Sequence, residues 1–342
     1  MEEEQMKKTF MGLLFLLIMF LWAHITILSQ GQDKAPEDRL RDEIVRFEQA
    51  TGGSVGVGAV HLESGRSFFY NKNIRYPMAS TYKIPVAVQL LSLVEEGIIM
   101  LTDMIELKKT DLHPGSGIIA HLLDDPGVIL SIHNLLELMM LISDNSATDL
   151  CMRLVGGSEA VTEKMREIGI NDIDICRPTY VLIANYLGVM SIQEGRDYLE
   201  EELDEQLDKL SEEEREYASD TFNQDLQDTS TPAAMAVLLK KIWDKKILSE
   251  KNTELLLDIM KRCETGEARI KGMLPEGTVV YHKTGTIGQT TNDVGIVELP
   301  GDAGNVVVVV FIKAAEEGTE QSEKIIAEIA RSLYDFYLFS EK

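Results

Sequence analysis

The chain predicts an α+β fold: an antiparallel sheet assembled from both termini with flanking helices, and an all-helical lobe inserted between them. Three observations carry this. Alternating apolar residues mark strands near residue 55 and again after residue 279. The long stretch from 80 to about 262 reads mainly as helix. A last amphipathic repeat, Ile325, Ile329, Leu333 and Phe336, closes the chain as another helix. Strands at both ends with helices between require one sheet built from the two termini.

At the N-terminus, residues 10–28 are nearly all apolar, follow Lys7 and Lys8, and give way to polar sequence at Ser29. That pattern is an export signal. Ser29-Gln30-Gly31 offers small residues for a cut before Gln32, and the apolar run is also about long enough to span a bilayer. Residues 1–31 are therefore expected to be a signal peptide or an N-terminal membrane anchor. In both cases residues 32–342 form an exported body, periplasmic or otherwise extracytoplasmic, that meets a membrane only if the segment stays uncleaved.

Within that body a helix over about 38–51 precedes Ser54 to His61, where Val55, Val57 and Ala59 alternate like a half-buried strand. Glu63-Ser64-Gly65-Arg66 reads as a hairpin turn and Ser67 to Tyr70 as the returning strand. Strand signals resume over Val279 to Lys283, Val294 to Glu298, and Asn305 to Lys313 with its Val306 to Val310 run. The α/β lobe is thus expected over about 38–75 and 263–342, and the helical lobe over about 76–262. A seam between two lobes is where clefts form.

The formal charge of −24 makes nucleic acid an unlikely partner, because such a surface repels phosphate. Half of that charge is local: residues 191–228 hold 15 Asp and Glu against three Lys and Arg. Leu199, Leu203, Leu207 and Leu210 recur there at helical spacing, so the stretch reads as a helical insert with its acidic face in water. Its acids lack the spacing of a calcium loop. Cys151, Cys176 and Cys263 have no metal spacing and leave open one disulfide plus a thiol, or three buried thiols. The six histidines include no His-x-x-x-His pair, so neither a metal nor any other cofactor is expected.

Chemistry enters with three short motifs. Ser80 and Lys83 lie three apart at the start of an apolar-periodic helix, which puts both on one face of its first turn. A serine is a weak nucleophile until a base takes its proton, and a desolvated lysine can be that base. Pro85 is tolerable because it falls early in the helix. Ser143-Asp144-Asn145 sits between two helices, where a hydroxyl can pass a proton to a leaving amine and an Asn amide can hold a carbonyl. Capping would equally explain any one of these three residues. Lys283-Thr284-Gly285-Thr286 is expected to end a strand. Gly285 would let substrate backbone approach, and the Thr286 and Ser80 N–H groups could form an oxyanion hole. Lys283 and Thr284 would receive a substrate carboxylate. Each motif alone is weak, and the three together in this order are not.

With these motifs the chain resembles the class A β-lactamase family over most of residues 38–342. Arg75 to Thr81 is similar to that family's approach to its nucleophile, and Thr231-Pro232-Ala233-Ala234-Met235 to a helix start in its helical lobe. The run from Thr265 through Arg269 and from Pro275 to Lys283 looks like that of carbapenem-hydrolysing members, which makes Arg269 a candidate for carboxylate recognition. The resemblance implies a serine hydrolase, acting as a monomer without a cofactor, that is acylated by a β-lactam or a peptidoglycan-like peptide.

One part of the pattern is missing. Counted from Ser143 without gaps, Arg177 falls on the family's Ω-loop arginine and Thr179 on its catalytic glutamate. Asp172 and Asp174 lie upstream, in the wrong place, and Asn185 is two positions off the loop's asparagine. Tyr180 is a conceivable substitute base, against an ordinary pKa near 10. His113-Pro114-Gly115-Ser116-Gly117 adds a Gly-rich rim loop suited to a larger or different acyl donor. The expectation is acylation assisted by Lys83 and slow deacylation. A cell-envelope D,D-peptidase or esterase shares the same residues, and an inactive binding module is the reading of another class.

Overall fold

The computed structural model describes Met1, Met6, Met11 and residues 35–339. The chain divides into two compact units, residues 1–39 and 40–342. Apart from Met11, the export signal expected over residues 10–28 lies outside the described residues. Among these, no helix is long and apolar enough to cross a membrane.

Helix α1 (Pro36–Thr51) buries Leu40 and Ile44. Strand β1 (Ser54–His61) and β2 (Ser67–Tyr70) pair as a hairpin, Val57 opposite Tyr70 and Val60 opposite Ser67. The short β3 (Tyr76–Pro77) leads into a 3₁₀ turn (Ala79–Tyr82) and then α2 (Lys83–Glu95). Nine α2 residues are buried, on every side of the helix, so it is the axis of the helical lobe and not a surface element.

Around it the chain lays β4 (Met104–Glu106), α3 (Ile119–Leu122), β5 (Ile129–Ser131), α4 (Ile132–Leu141), α5 (Asn145–Leu154) and α6 (Ser158–Glu167). Next come α7 (Thr179–Tyr186), α8 (Glu200–Leu207) and α9 (Glu212–Phe222), followed by β6 (Thr229–Ser230), which pairs with β3. Two more helices, α10 (Pro232–Trp243) and α11 (Glu250–Lys261), complete the lobe. The chain then returns to the sheet with β7 (Val280–Ile287), β8 (Thr290–Glu298) and β9 (Asn305–Lys313), and ends in α12 (Gly318–Phe339).

The sheet runs β2-β1-β9-β8-β7, antiparallel throughout, so strands from both ends meet at the β1–β9 pair. The expected α+β architecture is what forms. Alternation along β9 explains its unbroken apolar run. Val307, Val309 and Phe311 pack with α2 and the helical lobe, while Val306, Val308, Val310 and Ile312 pack with Ile325, Ile329 and Leu333 of α12. A strand covered on both faces needs no polar side.

The acidic stretch does form helices. Leu203, Leu207 and Leu210 turn inward on Tyr180, Val189, Ile192 and Tyr198 to make a small third core of their own. All three cysteines are free thiols. Cys151 and Cys263 are buried, but Cys176 is exposed, which corrects the alternative of three buried thiols and excludes a disulfide.

Candidate active site

Ser80 sits in the second position of the 3₁₀ turn, at the entrance to α2. The turn is strained and clamped. Ala79 takes a left-handed φ of 45°, uncommon for a residue with a side chain. Asn292 of β8 donates its amide to the carbonyls of Pro77 (2.9 Å) and Met78 (3.0 Å), fixing the backbone just ahead of the nucleophile. Gly285 of β7 crosses this turn at contact distance: a Cβ there would lie 2.6 Å from the Met78 oxygen and 2.9 Å from the Ser80 nitrogen. The glycine therefore serves the approach of the protein's own nucleophile turn. The third motif fills the last part of its strand. β7 continues to Ile287, and as the edge strand it leaves alternate N–H and C=O groups without a strand beside them. Thr286 is on this edge and exposed.

Ser143 stands between two lysines. Lys83 Nζ lies 3.1 Å from Ser143 Oγ, 2.7 Å from the Ser143 carbonyl and 3.1 Å from Asn145 Oδ1. Lys283 Nζ reaches the same Ser143 Oγ at 3.1 Å and the Thr284 carbonyl at 2.9 Å. Both lysines are fully buried, and among the described residues neither has a carboxylate within ion-pairing distance. Burial, and then the positive charge of Lys283, hold Lys83 well below its ordinary value. Burial lowers Lys283 to about 8. Ser143 itself is held at a left-handed φ of 62°.

The rest of the second motif is scaffold. Asp144 caps α5 through the Ala147 N–H (2.9 Å) and accepts from Ile118 (2.7 Å) and Ile119 (2.9 Å), which fastens the rim loop. Asn145 donates to the Pro114 carbonyl at 2.8 Å. A Cβ on Gly117 would lie 2.2 Å from Asp144 Oδ2, and one on Gly115 2.8 Å from Asn145 Nδ2. These two glycines let the rim loop lie flat on the motif.

Arg269 reaches the third motif from beneath. It donates to the carbonyls of Gly285 (3.2 Å) and Asn292 (2.8 Å) and to Thr286 Oγ1 (2.7 Å), and pairs with Glu323 at 3.0 Å. Its guanidinium is buried, so it acts on the cleft through Thr286. Thr284 Oγ1 lies 2.6 Å from Thr265 Oγ1.

The loop that should carry a glutamate is closed at its neck by Arg177. That residue pairs with Asp228 at 2.6 Å, 51 positions later, and with Asp225 at 2.8 Å. The acidic stretch is therefore part of one extended Ω-loop. At its start Asp149 accepts the N–H groups of Thr179 (2.6 Å) and Tyr180 (2.8 Å) and faces His113 Nδ1 at 2.8 Å. Burial alone would push His113 down, but the Asp149 carboxylate leaves it above its usual value.

Thr179 Oγ1 is 2.6 Å from the Tyr82 hydroxyl, and burial drives that phenol well above its ordinary value. Among the described residues, the acid at this position is Asp149, whose carboxylate holds the backbone of Thr179 and Tyr180. Tyr180 is not the substitute base: its hydroxyl donates to the Leu199 carbonyl, and its ring stacks between His113 and Tyr198 at 4.7 and 5.9 Å. Asn185 accepts from Arg177 and donates to the Val189 carbonyl, serving the neck of the loop. Asp172 and Asp174 pair with Arg75.

The structure thus gathers Ser80, Lys83, Ser143, Asn145 and Lys283 through Thr286, with Arg269 behind them. Sequence reasoning missed Asp149 and Asp228. Asp149 stands four residues after Asn145, on the same face of α5, and that spacing was its available signal.

A family model described as "Beta-lactamase enzyme family" matches residues 37–337. Beta-lactamase VEB-1 of Pseudomonas aeruginosa is 28% identical over 332 residues, covering 94% of this chain and 97% of that protein. Extended-spectrum beta-lactamase PER-1, also of Pseudomonas aeruginosa, is 28% identical over 91% of each. Among solved structures, the TLA-1 extended spectrum beta-lactamase superposes with a TM-score of 0.71 at 30% identity, covering 90% of this chain and 100% of that one.

Proposed function

This chain belongs to the β-lactamase enzyme family, and from that membership and its cleft we propose an acyl-serine hydrolase that is acylated readily and deacylated slowly. It is a serine hydrolase of the class A β-lactamase type, taking a β-lactam or related amide. The observation that carries the finer reading is the hydrogen-bonded line Lys83–Ser143–Lys283, buried and free of carboxylate.

In this reading the neutral Lys83 amine takes the Ser80 proton as Ser80 Oγ attacks the carbonyl. The Ser80 and Thr286 N–H groups hold the oxyanion. Ser143 passes a proton to the departing nitrogen, resupplied through Lys83. Asn145 steadies the acyl amide. Lys283 and Thr284 receive the substrate carboxylate, with Thr286 oriented by Arg269.

Water is then served poorly. Thr179 is committed to Tyr82, and that phenol stays protonated. Ile183 lies beside the rim glycine Gly115, with its Cδ1 3.8 Å from where a Cβ would be. Losing a positioned base costs about 10² to 10⁴ in rate. The domain reading keeps residues 32–342 as one catalytic body, exported by the segment before it and acting as a monomer.

Intact mass spectrometry of residues 32–342 with excess benzylpenicillin tests the reading. A persistent adduct on wild type and none on Ser80→Ala is expected. Rapid return to the free mass with full consumption of penicillin would sink slow deacylation. Absence of both adduct and turnover would sink the acyl-serine reading itself. Fractionation of a producing cell tests export, with the body expected outside the cytoplasmic membrane.

A further inference from the structure

We propose that the groove between α7 and α9, within the extended Ω-loop, is a docking surface for a basic amphipathic helix of a partner protein. It requires nothing of the chemistry at Ser80. Its starting point is the acidic stretch of residues 191–228, which neither the sheet nor the cleft explains. On α8, Glu201 pairs with Lys109 at 2.9 Å and Glu202 with Arg196 at 3.1 Å. On α9, Glu212, Glu213, Glu214, Glu216 and Asp220 accompany one cation, Arg215, and that guanidinium donates to the Leu207 carbonyl. Among the described residues none of the five α9 acids has a cation within ion-pairing distance, and all five are exposed. Like charges a turn apart repel, so this helix presents an unbalanced negative wall.

Beside that wall lies a groove of about 620 Å³ with a mainly apolar lining. Phe222 is buried in it and Leu210 half-buried, while Met190 and Tyr217 line it with 67% and 70% of their surface in water. Glu213 and Glu214 border it, and Arg177 and Asp225, the ion pair at the neck of the loop, belong to the same lining. Single exposed apolar side chains are ordinary. Met190 and Tyr217 instead share one groove with an acidic rim, which is the pattern of an interaction site.

Two demands select the occupant. The groove takes apolar side chains, and the wall takes cations. A helix with leucine-like residues recurring on one face and Lys or Arg beside them supplies both. A wholly apolar partner would cover Glu213 and Glu214 without a counter-charge, which is costly. A second copy of this chain would bring the same negative wall against its own, and like charges across an interface repel. A polycation with no apolar face would leave the groove unfilled.

The probe is a fluorescein-labelled peptide in which the heptad Leu-Lys-Lys-Leu-Leu-Lys-Leu occurs twice, titrated with residues 32–342 and followed by anisotropy. That body includes all of the compact unit 40–342. A second peptide with Ser for every Leu carries the same charge without the apolar face. The expected result is saturable binding, about 10-fold or more tighter than for the serine peptide and weakened by salt. Met190→Ser combined with Tyr217→Ser should weaken it by about 10-fold and leave the thermal midpoint unchanged, because both side chains are exposed. Glu213→Gln combined with Glu216→Gln should flatten the salt dependence. Absence of binding would overturn the proposal, as would equal binding of the serine peptide, or binding that the Met190 and Tyr217 changes leave intact. A free protein that sediments as a dimer, and as a monomer once Met190 and Tyr217 are changed, would assign the groove to a second copy and overturn the partner helix.

Discussion

Thr179→Glu places a carboxylate where Thr179 Oγ1 now meets the hydroxyl of Tyr82, the buried residue just before Lys83. Three energies decide the outcome. Burying a carboxylate costs several kcal/mol after relaxation. Its attraction to a Lys83 ammonium would recover about 3 kcal/mol if the two charges came within about 5 Å, at an effective dielectric of about 20. The fold should therefore lose only about 1–3 kcal/mol and remain assembled. The same attraction favours the protonated form of Lys83, which removes part of its neutral fraction and slows acylation. In exchange, water gains a base worth about 10² to 10⁴ in deacylation, or about 3–5 kcal/mol of barrier. The assay is acyl-enzyme decay after benzylpenicillin is removed, read by intact mass, with Thr179→Gln as the uncharged control. Slower acylation together with faster decay is expected for Glu alone. A folded Thr179→Glu whose adduct decays at the wild-type rate would refute the argument that deacylation fails for want of a base on this side.

Lys283 sits near 8 because it is buried, so its charge fades as pH rises through that value. The KM for a carboxylate-bearing substrate should rise above about pH 8, and Lys283→Arg should move that limb upward. The folded pKa of Lys283 lies below the unfolded value, so between about 8 and 10.5 the unfolded chain binds more protons and stability rises with pH. Denaturant unfolding at pH 7 should therefore show Lys283→Met more stable than wild type by about 1–3 kcal/mol; a destabilised variant would contradict the burial argument. Asp228→Asn removes the buried partner of Arg177 and leaves it the half-buried Asp225, so it should cost about 1.5–3 kcal/mol in unfolding experiments, with protease cleavage opening first between residues 178 and 227. Of the three thiols, Cys176 alone should react with a thiol reagent in the native protein and all three after unfolding. Native labelling of two or more would contradict the packing of Cys151 and Cys263.

The sheet was legible because its strands alternate or are flanked by turns. Ser54–His61, Ser67–Tyr70 and Asn305–Lys313 fall where the pattern puts them. The extent of β7 was not legible. Beyond Lys283 it continues through Thr284, Gly285 and Thr286, residues that read as a turn in isolation but pair with Asp293, Asn292 and Thr291 across the sheet. That pairing is a tertiary fact with no local signature. The site's chemistry was legible because Ser80, Lys83 and Ser143 recur at fixed short spacings. Its supports were not, since the Asn292 clamp on the nucleophile turn spans more than 200 residues. The closure of the Ω-loop shows the same limit. Arg177 could be placed by counting, but its partner Asp228 comes only after a helical insert whose length no local rule predicts.

The missing carboxylate and the lowered Lys83 are two sides of one fact. A carboxylate close enough to activate water is close enough to hold an ammonium, and opposite charge favours the protonated lysine. Here Asp149 accepts the N–H groups of Thr179 and Tyr180 and faces His113, and it forms no ion pair with Lys83. Burial and the positive Lys283 outweigh the attraction of Asp149 and Asp144, so the neutral amine of Lys83 is favoured. The site therefore holds one strong base where two would compete for the same proton. A single base on the Ser143 side can serve attack by Ser80 and departure of the leaving group, because both pass through one proton path. It cannot serve water on the opposite side. Whether the acyl group leaves quickly then depends on a base for water at the Thr179 position, where Thr179 and the protonated Tyr82 hold only each other.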